Sequence, residues 1–185
     1  MPFRLSRRFH ILAARVYNPA TKEVLPMSPD NKQASDNKQL ADNKQIAHRF
    51  MDECWNQGKI DTVSQLMSDN CRHHDPIFPS LSSGAENIKR HITSCRTGFP
   101  DLKFTVDDTI AERNEVVHHW TARGTHKGQF LGMQPTNKQA TVSGTSIYRI
   151  ENGKITEQWV DWNLMSMMEQ LGIAAPAKIE VKQPA

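Results

Sequence analysis

Gly124–Gly172 reads GTHKGQFLGMQPTNKQATVSGTSIYRIENGKITEQWVDWNLMSMMEQLG, and its punctuation decides the fold. Two runs rich in β-branched and aromatic residues, Ala140–Ile150 and Lys154–Trp162, flank Glu151-Asn152-Gly153. Asn-Gly between such runs predicts a tight hairpin, because both residues tolerate positive φ. The Met- and Leu-rich segment that follows predicts a short helix ending at Gly172, a residue suited to a left-handed C-terminus. The loop 127–139 is long for a hairpin connection. Its Phe130, Leu131 and Met133 give it an apolar face suited to covering a pocket mouth.

Working back towards the N-terminus, Val116–His126 reads as a strand, Arg113-Asn114-Glu115 as a turn, and Leu102, Phe104 and Val106 as the apolar face of another strand. Ser83-Gly84-Ala85-Glu86 has the form of a capping box. Ile88, Ile92 and Cys95 make the inner stripe of the helix it starts, with His91 at the boundary and Gly98 at the end. Ala47, Phe50, Met51, Cys54 and Trp55 recur with helical period up to Gly58. A second short helix starts at Asp61 as N-cap, with Val63, Leu66 and Met67 inward. In the strand-like Cys71-Arg72-His73-His74-Asp75-Pro76, adjacent histidines point to opposite faces. They cannot serve one site together, and no matching spacing elsewhere completes a metal site, so no metal is expected.

The flanks differ from this body. Residues 1–29 carry five basic side chains and one acidic, leaving 18 basic and 19 acidic over the other 156. The formal charge of +3 therefore resides in the extension. Its arginines resemble a transit peptide in composition, and the competing readings are a native start at Met27 or a disordered extension. Residues 30–45 repeat Asp-Asn-Lys-Gln at 30, 36 and 42. Six residues advance a helix by about 600°, so the copies share no face, and the segment reads as a lead-in to the first helix. The domain proper is expected over 46–175, with 176–185 a disordered tail. The near-neutral body argues against nucleic acid, and no apolar run reaches the roughly 18 residues of a membrane span. Cys54, Cys71 and Cys95, odd in number, read as free buried thiols in a reducing compartment, hence the cytoplasm.

Three motifs in one order, GTHxGxFxGxxPT, YRIxxGKIxExW and QLG, resemble the SnoaL-like polyketide cyclase (ester cyclase) family. The resemblance implies that family's α+β cone, shared with ketosteroid isomerases and the nuclear transport factor. That fold is a strongly curved antiparallel sheet wrapped around N-terminal helices, dimeric through the sheet's outer face. It also implies cofactor-free chemistry: a carboxylate takes a proton from between two carbonyls, a histidine polarises the receiving carbonyl, and the cavity holds the chain in reacting geometry. Carried over residue by residue, the family's catalytic Asp position holds Val160 and its His position holds Ser146. Valine transfers no proton, and serine is a poor base alone.

The remaining catalytic candidates are His119, where the family often has Arg, and Asp161, which faces the cavity only if a bulge re-aims it. Asn163 offers an amide. Trp55, His74, Phe78, Ser146, Tyr148, Gln158, Val160 and Trp162 are the ligand-binding candidates. The leading expectation is an enzyme performing acid–base chemistry on a small apolar oxygenated molecule. The rivals are a non-catalytic binder of such a molecule and a dimeric interaction module with a vestigial pocket.

Overall fold

The computed structural model describes residues 15–18, 23–26, 29–78 and 83–174. The expectations for residues 1–14, for Met27 and for the tail from 176 lie outside the described residues. The chain divides into two compact units, Met1–Gln39 and Leu40–Ala185. In the first, β1 (Arg15–Asn18) pairs antiparallel with β2 (Glu23–Pro26), setting Val16 opposite Leu25 and Tyr17 opposite Val24. These are residue types that favour extended backbone. The sequence reading assigns no element here; the segment is too short to show a core period.

Helix α1 (Pro29–Arg49) contains all three Asp-Asn-Lys-Gln copies, and its residues 30–39 are exposed. The third copy belongs to the second unit, where the buried Asn43 donates to the Arg113 carbonyl. The chain continues as a π-helix over Phe50–Asn56. Phe50 and Cys54 enter the main core, while Met51 and Trp55 face a cavity. Asn56 ties the end of this segment to the sheet by bonding both the N–H and the C=O of Phe104.

Then come α2 (Thr62–Leu66), β3 (Met67–His74) and α3 (Ala85–Gly98). The antiparallel run of β4 (Lys103–Glu112), β5 (Glu115–Thr125), β6 (Gln139–Glu151) and β7 (Lys154–Trp162) follows, and α4 (Leu164–Leu171) closes the unit. The sheet order is β3-β7-β6-β5-β4. The fold is α+β as expected, with one correction: β3 runs parallel to β7, so the sheet is mixed. A parallel neighbour needs a long crossover, and here that crossover is the whole chain from α3 to β6.

The turn chemistry follows the sequence. Asn152 and Gly153 both take positive φ at the β6–β7 turn, and Gly172 is left-handed at the end of α4. The capping box does not form. Gly84 occupies the N-cap of α3, and Glu86 reaches forward to Lys89. Asp61 precedes α2, but its side chain makes no capping bond.

The interior is uneven. Near the β6–β7 turn it is filled by Phe50, Met67, Ile88, Ile92, Tyr148, Ile150 and Ile155. At the other end, between α3, α4 and strands β5–β7, it is hollow.

Candidate active site

The hollow has about 810 Å³ of empty space, its open mouth included. Strand parity decides what reaches it. On β5, Val116, His118, Trp120 and Ala122 point inward, and His119 and Arg123 are exposed. On β6, Val142 and Ser146 point inward. On β7, the pairing shifts between Arg149–Glu157 and Ile150–Ile155, so Thr156 is the extra residue of a bulge. After it, Gln158, Val160 and Trp162 line the cavity. Gly144 faces Trp120 across the β5–β6 pairing because a Cβ there would lie 2.5 Å from the indole and 2.7 Å from the Asp161 carbonyl. The indole thus occupies the space beside the Gly144 backbone and donates to Ser146 Oγ at 2.9 Å.

Six of the ligand-binding candidates line the cavity: Trp55, Phe78, Ser146, Gln158, Val160 and Trp162. Tyr148 is fully buried behind it, in the filled end. The other three predicted residues do not reach it. His74 lies on the outer face, 2.9 Å from Glu157 and stacked on Trp159. His119 is a solvent-exposed outer-face residue with Nδ1 3.8 Å from Asp107. Asp161 is exposed on the same face. The bulge that might have re-aimed Asp161 exists, but at Thr156, upstream of both Val160 and Asp161, so it leaves their relative phase unchanged. Asn163 serves as the N-cap of α4, accepting from Ser166 N–H.

Besides the exposed Arg123, the titratable residues that line the cavity are His73, Asp75, His91 and Cys95. Side-chain phase along β3 and α3 accounts for the first three. Cys71 is buried, so β3 parity turns His73 and Asp75 inward and His74 outward. His91 lies three residues after Ile88 and four before Cys95, on the inner face of α3.

Burial lowers His73 to about 4, against the opposing pull of the nearby Gln158 carboxamide. Burial, with His73 adding to it, lowers His91 to about 4. The two rings lie 6.2 Å apart, and His91 packs edge-on against Phe78. Both imidazoles are therefore neutral near pH 7, each with one donor and one acceptor nitrogen. Asp75 is 6% exposed, and Oδ1 accepts the Ile77 N–H at 2.8 Å. Burial raises its pKa, although that bond, the Phe78 N–H and the Trp162 indole pull the other way. Burial pushes the Cys95 thiol up to about 12, with nearby Asp75 adding to it, so it stays protonated. Among the described residues no cluster of three His, Cys, Asp or Glu side chains is arranged to hold a metal ion, and no helix is long and apolar enough to cross a membrane.

A curved mixed sheet thus closes over an apolar cavity that holds a few buried acid–base groups. The chain belongs to the family of SnoaL-like polyketide cyclases, whose model matches residues 45–171. TsrD from Streptomyces laurentii superimposes with a TM-score of 0.66 at 25% identity, covering 72% of this chain and 97% of its own. A candidate polyketide cyclase of Acidithiobacillus ferrooxidans gives 0.65 at 27%, with 72% and 96% covered. AclR from Streptomyces galilaeus, described as a candidate hydroxylase, gives 0.65 at 23%, with 75% and 86% covered, and shares the fold. No curated protein sequence matches the chain.

Proposed function

We propose that the chain is an enzyme that encloses a small apolar, oxygenated molecule and moves a proton from one of its carbons, without a resident cofactor. The observation that supports this reading is Asp75. It is a carboxyl held inside an apolar cavity, with a pKa raised by burial, beside two neutral histidines. Buried carboxyls with raised pKa values concentrate at sites of proton transfer.

In this role Asp75 takes the acidic proton lying between two carbonyls, and a histidine N–H steadies the oxygen on which negative charge develops. The Trp55, Phe78, Phe104 and Trp162 walls exclude water and hold the molecule in reacting geometry. The work lies with Asp75 and the histidines because Val160 is inert and Ser146 is engaged by Trp120.

The test is deuterium uptake at the acidic carbon of a cyclic β-keto ester in D2O, followed by NMR. The protein is expected to accelerate exchange, and Asp75→Asn to remove roughly 10²–10⁴ of that acceleration. Acceleration unchanged in Asp75→Asn removes Asp75 from the base role, and exchange no faster than in buffer transfers the lead to the non-catalytic binder. That second reading is favoured by the same two positions, Val160 and Ser146.

A second copy of the chain is the proposed protein partner. Ile110, Val117, Ile147 and Trp159 form one row of cross-strand neighbours over the outer face, with Ile110 61% exposed. Sedimentation equilibrium checks this, a dimer being expected and an Ile110→Glu variant being shifted towards monomer.

A further inference from the structure

We infer that His73 and Gln158 form a hydroxyl-binding site in the cavity wall, built for a phenol or enol on an apolar ring system. This rests on the reading of the cavity as a small-molecule site, and not on catalysis there.

The two residues are Cα partners across the parallel β3–β7 pairing, and both line the cavity. Gln158 is 3% exposed, yet its Oε1 has no hydrogen bond of good geometry, nor has either ring nitrogen of His73; the two side chains lie near enough for the carboxamide to pull the imidazole pKa up, but they are not aligned to satisfy each other. Buried polar groups are almost always paired, and each orphan costs free energy. The neighbouring polar groups are already engaged: Asp75 holds the Ile77 N–H, and Ser146 takes the Trp120 indole N–H. The other unpartnered buried groups among the described residues differ in position. Tyr148 Oη and the nitrogens of His118 and His126 belong to residues that do not line the cavity.

The unmet valences select the ligand group. Gln158 Oε1 accepts only. Neutral His73 offers one N–H and one lone pair. A ketone oxygen satisfies the N–H and leaves Oε1 orphaned. A carboxylate sets negative charge against Oε1, and an ammonium supplies donors but nothing for the imidazole N–H. A hydroxyl donates to Gln158 Oε1 while accepting from His73. The rest of the wall fixes the scaffold, since Trp55, Phe78, Phe104, Trp120 and Trp162 present rings.

The experiment compares 2-naphthol with 2-methoxynaphthalene by calorimetry on the full chain. The ether keeps the ring and the acceptor oxygen but loses the donor. Wild type is expected to prefer the naphthol by about tenfold or more, the worth of one to two well-placed hydrogen bonds. Gln158→Leu is expected to remove the preference while holding or improving affinity for the ether, and His73→Phe to reduce it. If Gln158→Leu does not fold, Gln158→Met replaces it with a side chain of similar length. The ¹⁵N shifts of the His73 ring are expected to move on binding naphthol and not the ether. Equal affinities in wild type, a preference that survives both substitutions, or a water filling the site with neither compound bound would overturn the inference. Naphthol preference without deuterium exchange sinks only the enzymatic reading, and exchange without preference sinks only this one.

Discussion

The inner and outer faces of the sheet carry the same kinds of residue with opposite consequences. Outside, Glu115, Arg149, Glu157 and Arg72 stand side by side across four strands, and every charge has a partner. Glu157 accepts from Arg72, Arg149 and His74, and Arg149 also lies 4.9 Å over the Trp159 ring. Burial pushes Glu157 up, but the His74 bond and the two arginine charges hold it below the ordinary carboxylate value. Inside, His73 and His91 are kept neutral, Asp75 is pushed up, and polar atoms wait unpaired. A side chain's chemistry here depends less on its type than on the parity of its strand position, which decides whether its partners are charges and water or apolar walls.

The largest effect that separates the faces is on stability against pH. His73, His91 and His118 are each lowered to about 4 chiefly by burial, with a neighbouring histidine adding to it for His91 and His118 (and His74 for His73). Between about 6.5 and 4 the unfolded chain binds protons that the folded chain refuses. Stability is therefore full above pH 6.5 and declines as pH falls through that window. Asp75 acts with the opposite sign, since its folded carboxyl takes up a proton at higher pH than the unfolded one and offsets part of the loss. Glu157 stabilises above the ordinary carboxylate pKa and loses this only as pH falls through its lowered value, later than the histidines. Urea midpoints measured from pH 7.5 to 4 are expected to fall mainly below 6.5, and His118→Phe to flatten the curve. A midpoint level down to pH 4.5 would mean that the inner histidines are not held neutral.

Next in size is Gly144→Ala. The new Cβ meets both the Trp120 ring and the Asp161 backbone carbonyl, and the carbonyl cannot swing aside. Overpacking of this kind costs about 1–3 kcal/mol. Thermal melting is expected to drop by several degrees, and 2-naphthol to bind more weakly because Trp120 is driven into the cavity. A variant that melts and binds like wild type would show that the indole is free to move.

Much of this was legible beforehand. The β6–β7 turn and the Gly172 helix end follow from Asn-Gly and from the glycine; the inward placing of Ser146 and Val160 follows from the family resemblance, and that of Gln158 and Trp162 from alternation about them. The site was harder to read, because alternation assigns two faces without saying which is wet. His119 is the candidate that the sequence suggests, yet its neighbour His118 is the one that shares parity with Trp120 and is buried. Between His73 and His74 the clue was Cys71, an apolar side chain two residues upstream. The Thr156 bulge and the parallel β3–β7 pairing depend on contacts made after folding, and no local pattern announces them.

On the outer face, Glu157→Gln removes the acceptor that binds Arg72, Arg149 and His74 together. Solvent screens the exposed ends of these partners. The expected result is a melting temperature lower by about 2–5 °C, with affinity for 2-naphthol unchanged. A change in naphthol affinity would show the two faces to be coupled through β7, since Gln158 is the next residue in the strand.

The smallest effect predicted is none, for His119→Ala and Asp161→Asn. His119 is more than half exposed, and its ion-pair contact, Asp107, already accepts from Thr121 Oγ1 at 2.7 Å. Asp161 is exposed; its backbone carbonyl beneath Gly144 is one that Asn supplies equally well, and its charge, screened by solvent, adds only the smallest of the influences on Asp75. Each change is expected to leave stability within about 0.5 kcal/mol, as for surface positions without a special contact. Deuterium exchange on the β-keto ester is expected to equal wild type, while Asp75→Asn loses it. If His119→Ala instead abolished exchange and Asp75→Asn spared it, the chemistry would lie on the outer face. The division between a saturated, structural outside and an unsatisfied, reactive inside would then be wrong at its root.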